Sequence, residues 1–279
     1  MNLRQALAYA REALRDKEIE DAPLEGEILL RHVLGISRAH LFSHFEQEMN
    51  PEHEEVMKQV MERRLNGEPT AYIIGIREFY GLNFIVDRRV LIPRPESELL
   101  VEKAIELAGK RKIKKIADIG TGSGAIAVSL AVNLPGVTIY AIDISAPALE
   151  VAAKNCQTHK VADKVVLLHG DMLEPLPGPV DMIIANLPYV KASDLTAQRT
   201  LDFEPPLALD GGEDGLDIIR IFCKQAGEKL NPEGCLLMEI GQGQAERVTA
   251  LLRRAFPSAL IEIKSDLAGI ERVVSLRLT

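Results

Sequence analysis

Tryptophan is absent from this chain of 279 residues, and aromatic residues make up only 4% of it. That leaves little material for the stacking platforms on which single-stranded nucleic acids lie. Positive charge is also in short supply: 33 lysines and arginines stand against 41 acidic residues, a formal charge of −8. Nucleic-acid binders usually carry the opposite excess because their affinity comes from neutralising phosphates, so no direct nucleic-acid substrate is expected. The basic run Lys110-Arg111-Lys112 with Lys114-Lys115 falls between a predicted helix and a predicted strand and reads as a solvated loop. Cysteine is scarce too. Cys156, Cys223 and Cys235 are odd in number and show no C-x-x-C spacing, which argues against a disulfide framework or zinc site and for a reducing compartment. Six histidines form no ligand pattern; His40 and His44 are four apart but lack a carboxylate at matching spacing, so no metal is expected. No apolar run approaches the roughly 18 residues of a membrane span, and no charged tip precedes an apolar block at the N-terminus. These absences together predict a cytoplasmic protein with no membrane partner.

What is present has the balance of a globular chain, 47% hydrophobic and 27% charged, with length enough for one large domain or two smaller ones. Residues 1–72 carry helical stripes and predict a small all-helical domain. Leu3, Leu7, Ala10 and Leu14 share one face. Pro23 opens a second helix with Ile28, Leu29, Val33 and Leu34, closed by Gly35, and Pro51 opens another through Val56, Val60, Met61 and Leu65. Residues 73–95 predict a β-hairpin linker: the period shifts to two at Phe79, Tyr80, Leu82, Phe84 and Val86, with the turn expected near Gly81-Leu82-Asn83. The prolines of Leu91-Ile92-Pro93-Arg94-Pro95-Glu96-Ser97-Glu98 hold the chain extended at Arg94 and start a helix. This segment reads either as a rigid connector or as a wall of a pocket.

From residue 96 to 279, strands and helices alternate. Strands are expected at 116–119, 138–143, 164–170, 180–185 and 234–240, followed by a final antiparallel pair at 260–263 and 272–278. This is the pattern of an α/β, Rossmann-like sheet of seven strands, of the class I methyltransferase type. Four motifs fall at strand carboxyl ends, where open α/β sheets bind ligands. The first is Asp118-Ile119-Gly120-Thr121-Gly122-Ser123-Gly124, a glycine loop spaced G-x-G-x-G. Dinucleotide sites use G-x-G-x-x-G, whereas this spacing behind an acidic residue is the one expected for S-adenosyl-L-methionine. Asp143 closes the second strand, where a carboxylate accepts hydrogen bonds from both ribose hydroxyls. Asp171, followed by Met172, closes the third and would stand near the adenine edge. Either aspartate alone could equally cap a helix or turn.

The fourth motif is Asn186-Leu187-Pro188-Tyr189, directly after Met182-Ile183-Ile184-Ala185. It suits a flat group bearing an NH₂. The Asn186 side-chain oxygen accepts one N–H, a backbone carbonyl near Pro188 accepts the other, and the Tyr189 ring lies against the plane. Leu187 is expected to point away from the acceptor.

Taken with Gly67-Glu68-Pro69-Thr70-Ala71-Tyr72, Ile92-Pro93-Arg94-Pro95-Glu96, Phe203-Glu204-Pro205-Pro206 and Asp266-Leu267-Ala268-Gly269-Ile270-Glu271-Arg272, these motifs make the chain resemble the HemK/PrmC family of protein-(glutamine-N5) methyltransferases. The resemblance implies a helical N-terminal domain that engages a peptide chain release factor and a catalytic domain that methylates the glutamine of its Gly-Gly-Gln loop. The motifs themselves assign cofactor contacts to Gly120, Thr121, Gly122, Ser123, Gly124, Asp143, Asp171, Met172 and Asn186. The Asn186 clamp assigns catalysis to Asn186, Pro188 and Tyr189, and substrate contact to these together with Leu187. The family usually has proline where Leu187 stands, and Asn-Leu-Pro-Tyr is also similar to the motif of adenine-N6 dimethyltransferases of ribosomal RNA. An adenine-N6 methyltransferase on RNA or DNA and a ribosomal-protein glutamine methyltransferase are therefore the rival readings. A nicotinamide-dependent reductase is disfavoured by the glycine spacing, and a cofactor-binding scaffold without catalysis would leave the Asn186 motif without a purpose.

Overall fold

The computed structural model describes residues 1–195 and 203–278 and divides into two compact units, Met1–Gly75 and Ile76–Thr279. The first contains α1 (Leu3–Asp16), α2 (Ala22–Leu34), α3 (Arg38–Ser43), α4 (Pro51–Leu65) and α5 (Thr70–Ile74). Helix α1 starts in a capping box: the Asn2 side chain accepts from the Gln5 amide, and the Gln5 side chain accepts from the Asn2 amide. It buries the expected face, Leu3, Leu7, Ala10 and Leu14, with Ala6. Helix α2 ends at Gly35 in the left-handed conformation, as its sequence implies. Helix α4 differs in one respect. Val56, expected in the core stripe, is 40% exposed, and Met57 is buried instead. Met57 lies three residues before Val60 and four before Met61, so it shares the face of both; Val56 neighbours only Val60 and falls at the stripe's edge.

The second unit contains β1 (Ile76–Phe79), β2 (Leu82–Ile85), α6 (Glu98–Lys110), β3 (Lys115–Ile119), α7 (Ala125–Asn133), β4 (Thr138–Asp143), α8 (Ala146–Thr158), β5 (Val165–His169), β6 (Val180–Ala185), α9 (Ala192–Leu195), α10 (Asp217–Ala226), β7 (Leu230–Glu239), α11 (Ala245–Ala255), β8 (Leu260–Ser265) and β9 (Glu271–Arg277). Among the described residues, seven strands form one sheet in the order β5-β4-β3-β6-β7-β9-β8. Neighbours from β5 to β7 pair in parallel, and β9 runs antiparallel to both β7 and β8. This is the Rossmann-like seven-stranded sheet that the alternation predicts. Its order reverses direction between β3 and β6, so the loops leaving those two strands diverge and open a crevice at their carboxyl ends.

Alternate residues of the central strands feed two apolar cores. Ile116, Met182, Ile184 and Leu237 pack with α6, α7 and α8, while Ala117, Ile119, Ile183 and Met238 pack with α10 and α11. On α10 the buried residues Ile219, Phe222, Cys223 and Ala226 follow the helical spacing of a single stripe. Phe222 is fully buried, so truncating it to alanine would cost about 3–5 kcal/mol. The hairpin β1–β2 contributes Phe79 and Phe84 to the first of these cores, and their rings meet edge to face. Its turn lies one residue earlier than expected. Tyr80 and Gly81 are the two loop residues, both with positive φ, whereas Leu82 and Asn83 already pair in β2. Positive φ at both loop positions is what a two-residue hairpin with native strand twist requires, even when a tyrosine must adopt it.

Candidate active site

The glycine loop is built from its backbone outward. The Gly120 and Thr121 amides both donate to the Ile142 carbonyl at 2.9 Å, and the Gly122 amide donates to Asp143 Oδ2 at 2.8 Å. Gly120 has φ +71°, and a Cβ there would stand 3.3 Å from the Asn186 carbonyl oxygen. Only glycine lets the loop after β3 come this close to the turn after β6. Thr121 Oγ1 donates to Asp118 Oδ2 at 2.6 Å, which pins the loop to the fully buried end of β3. Burial pushes the Asp118 carboxyl up to about 6, opposed by the Thr121 hydroxyl and the Ala127 amide. Asp118 is therefore a brace beneath the loop and does not line the crevice.

Asp143 ends β4 with both carboxylate oxygens aimed at backbone amides: Oδ2 accepts from Gly122 and Oδ1 from Ser145 at 2.9 Å. Each oxygen keeps a second lone pair for a ligand. Burial raises its pKa, opposed by the Ser145 and Gly122 bonds. Asn155, fully buried on α8, fixes the loop from behind. Its amide donates to the Ser123 carbonyl at 2.8 Å and to the Ile85 carbonyl at 3.0 Å, and accepts from the Ile85 amide at 2.8 Å.

A cavity of about 210 Å³ opens over these carboxyl ends. Gly120 to Ser123 form its floor, Asp143, Asp171 and Met172 one side, and Asn186, Leu187 and Pro188 another. Every cofactor position expected from sequence except Gly124 lines it. Gly124 instead begins α7 with φ +79°, where a Cβ would meet Ala152 at 3.2 Å. Leu187, expected to face away, is 5% exposed, lines the cavity and directs its side chain toward Gly120. Tyr189 stands behind these residues, its hydroxyl donating to Glu239 Oε1 at 3.1 Å. Gln244 Nε2 donates to the Tyr189 carbonyl at 3.0 Å, and Gly215 packs so close to that carbonyl that a Cβ would lie 2.5 Å from it.

Two segments that look unrelated along the chain meet at the cavity mouth. Leu91, Pro93, Arg94 and Ser97 line it from one direction, Pro205, Leu207 and Ala208 from the other. Glu204, 3% exposed, joins them: it accepts from the Ile92 amide at 3.0 Å and pairs with the Arg94 guanidinium. The Arg88 guanidinium lies over the Phe203 ring at 4.9 Å. Sequence reasoning assigned no role to Ser97, Asn155, Glu204 or Glu239. For Ser97 and Glu204 the signal was their place in motifs that the sequence had already singled out. Asn155 and Glu239 gave none, because each is a single polar residue in an otherwise ordinary element.

A Rossmann-like sheet whose glycine loop, acidic strand end and Asn186 turn converge on one cavity defines a class I methyltransferase. Residues 95–203 match the family model of the methyltransferase small domain, and residues 5–75 match that of the PrmC N-terminal domain. The chain is 40% identical over 269 residues to the release factor glutamine methyltransferase of Bradyrhizobium diazoefficiens, covering 95% of this chain and 91% of that protein. It is 45% identical over 255 residues to the enzyme of the same name from Bordetella pertussis, covering 90% and 93%. The ribosomal protein L11 methylase of Lactobacillus delbrueckii subsp. bulgaricus shares the fold, with a TM-score of 0.52 and 21% identity over 70% of this chain and 84% of that one. The chain belongs to the release factor glutamine methyltransferase family.

Proposed function

We propose that this protein transfers a methyl group from S-adenosyl-L-methionine to the side-chain amide nitrogen of the glutamine in the Gly-Gly-Gln motif of peptide chain release factors. The observation that carries the reading is the Asn186 turn at the rim of a cavity that also holds the glycine loop and Asp143. The residues present fit the cofactor. A glycine floor that a Cβ would crowd admits its close approach, and the spare lone pairs of Asp143 suit a pair of ribose hydroxyls. Ile144 and Met172 supply apolar walls for a purine beside Asp171. When bound, the cofactor supplies a methyl group on a sulfonium, open to displacement by a nucleophile.

The protein's own part is to make a poor nucleophile react. An amide nitrogen is weakly nucleophilic because its lone pair is delocalised into the carbonyl. Asn186 Oδ1 and a carbonyl near Pro188 would accept the two N–H groups, turning the nitrogen toward the glycine loop. Acceptors fixed in advance strengthen as the N–H groups become acidic, and orientation alone is worth about 7–11 kcal/mol of a barrier. Tyr189, expected from sequence to lie against the amide plane, does not line the cavity and would instead hold the turn from behind through Glu239, while Leu187 would fill the gap beside Gly120.

The N-terminal helices, 1–72, are proposed to grip the folded release factor, because a short peptide loop offers far less than the roughly 1,200–2,000 Å² of a specific interface. Action on release factors would place the protein in the cytoplasm. No helix among the described residues is long and apolar enough to cross a membrane. The test is incubation of the protein with methyl-labelled S-adenosylmethionine and, separately, release factor, ribosomal proteins, ribosomal RNA and DNA. Label in release factor alone supports the proposal. Label in RNA or DNA favours the adenine-N6 reading and overturns it, and label in a ribosomal protein overturns the choice of acceptor.

A further inference from the structure

Behind the Asn186 turn lies a polar chain that no binding role yet explains. Asn186 Nδ2 donates to Ser97 Oγ at 3.0 Å, and Ser97 Oγ donates to Glu239 Oε2 at 2.5 Å. Tyr189 donates its hydroxyl to the other oxygen, Oε1. Ser97 is 3% and Glu239 2% exposed. Glu239 sits at the end of β7 with no cation bonded to it among the described residues. Arg272, which acts on it through space, donates instead to Asp266 at 3.0 Å, and Glu96 adds a second negative charge nearby. A buried carboxylate held by hydroxyls alone is a costly way to fill space, and a hydrophobic residue of similar volume would be cheaper.

The chain has a direction, and the direction follows from what each group can do. Burial pushes the Glu239 carboxyl above its ordinary range, opposed by the Ser97 and Tyr189 bonds, and in its ionised form it offers only lone pairs, consistent with Ser97 Oγ as the donor. The Ser97 proton is therefore committed to Glu239, and the Ser97 oxygen is left able only to accept. The NH₂ end of the Asn186 amide satisfies that oxygen, whereas its carbonyl end would set two acceptors face to face. Oδ1 is thereby turned away from Ser97 and left free to accept, on a residue that lines the cavity. We infer that Glu239, acting through Ser97, selects which end of the Asn186 amide faces the acceptor, and that Glu239 and Ser97 are positioning residues for methyl transfer. The inference rests on the proposed glutamine-methyltransferase reading of the same site. The same carboxyl group ties down Tyr189, so one buried side chain orients both ends of the Asn-Leu-Pro-Tyr turn.

The experiment compares full-length wild type with Ser97→Ala, Ser97→Thr and Glu239→Gln. It measures kcat and KM for release factor, S-adenosylmethionine affinity by calorimetry, and thermal unfolding. In Glu239→Gln the new NH₂ can donate to Ser97, which frees the Ser97 proton and permits the Asn186 amide to flip. Glu239→Gln and Ser97→Ala should each lower kcat by at least about tenfold, with KM and cofactor affinity within about threefold, because a preorganised acceptor acts in the transition state. Ser97→Thr should restore most of the turnover lost in Ser97→Ala, since it returns the hydroxyl. A folded Ser97→Ala protein with kcat within about twofold of wild type overturns the inference. So does a loss that appears in KM or cofactor affinity alone. Should Ser97→Ala fail to fold, the isosteric Glu239→Gln variant decides by the same criteria. Wild type that labels a different acceptor contradicts the proposed function, and the variant-to-wild-type ratio on that acceptor still decides the relay.

Discussion

Replacing Asp143 with alanine isolates the cofactor half of the site. The carboxylate accepts from the Gly122 and Ser145 amides and has lone pairs left for two ribose hydroxyls. Hydrogen bonds to a charged group contribute about 1.5–3 kcal/mol, so Asp143→Ala should weaken S-adenosylmethionine binding by roughly 10- to 150-fold. Folding should suffer less. Gly122 and Ser145 are both half-buried, and water can replace the lost acceptor, leaving a stability loss of about 1–2 kcal/mol. Asp143→Asn should not rescue binding, because its NH₂ must face one of the two backbone donors. Calorimetry on each folded variant measures the dissociation constant, and a thermal melt without cofactor measures the structural cost. An unchanged dissociation constant in a folded Asp143→Ala protein would refute the placement of the ribose, and with it the reading of the β4 strand end.

Three further outcomes follow from the same geometry. Asn186→Ala should cut kcat by at least about 10²-fold, as for loss of one preorganised hydrogen-bonding group, with a smaller loss of cofactor affinity; near-normal turnover would remove the amide clamp. Asp118 predicts a pH dependence of folding. Its carboxyl titrates at about 6 in the native protein against 3.8 as the ordinary value, so between those pH values the native state holds a proton that the unfolded chain releases. Its contribution to stability is complete below about pH 4 and falls by about 3 kcal/mol as pH rises through about 6. Asp118→Asn should flatten the denaturation profile over that window, and an unchanged slope would show that the carboxyl is not buried as described. Removing residues 1–72 should leave cofactor binding largely intact while abolishing efficient methylation of folded release factor. Full-length rates in a folded truncated protein would make the helices structural only.

The fold was legible where the chain's periodicities are simple. Five parallel strands could be marked because each is a short apolar run closed by glycine, aspartate or asparagine, and four of those closing residues, Gly120, Asp143, Asp171 and Asn186, now surround one cavity. Local exceptions were not legible. The hairpin turn slipped by one residue because Tyr80 adopts a positive φ that its side chain does not advertise. Val56 looked like a core residue because pattern alone does not weigh Met57 against it. Long-range polar pairs were hidden for a different reason. Glu204 reaches back 110 residues to Arg94, and Glu239 reaches back 142 to Ser97. A carboxylate within the apolar run of β7 gives no sign of its partner until the sheet brings β7 beside β6.

The central claim is that one glutamine nitrogen receives the methyl group. The direct measurement is mass-spectrometric mapping of release factor after incubation with S-adenosylmethionine and the full-length protein, alongside a release factor whose Gly-Gly-Gln glutamine is alanine. The account predicts a single methyl group on the side-chain nitrogen of that glutamine and none on the alanine variant. Methylation at another residue, or equal labelling of the alanine variant, would contradict it.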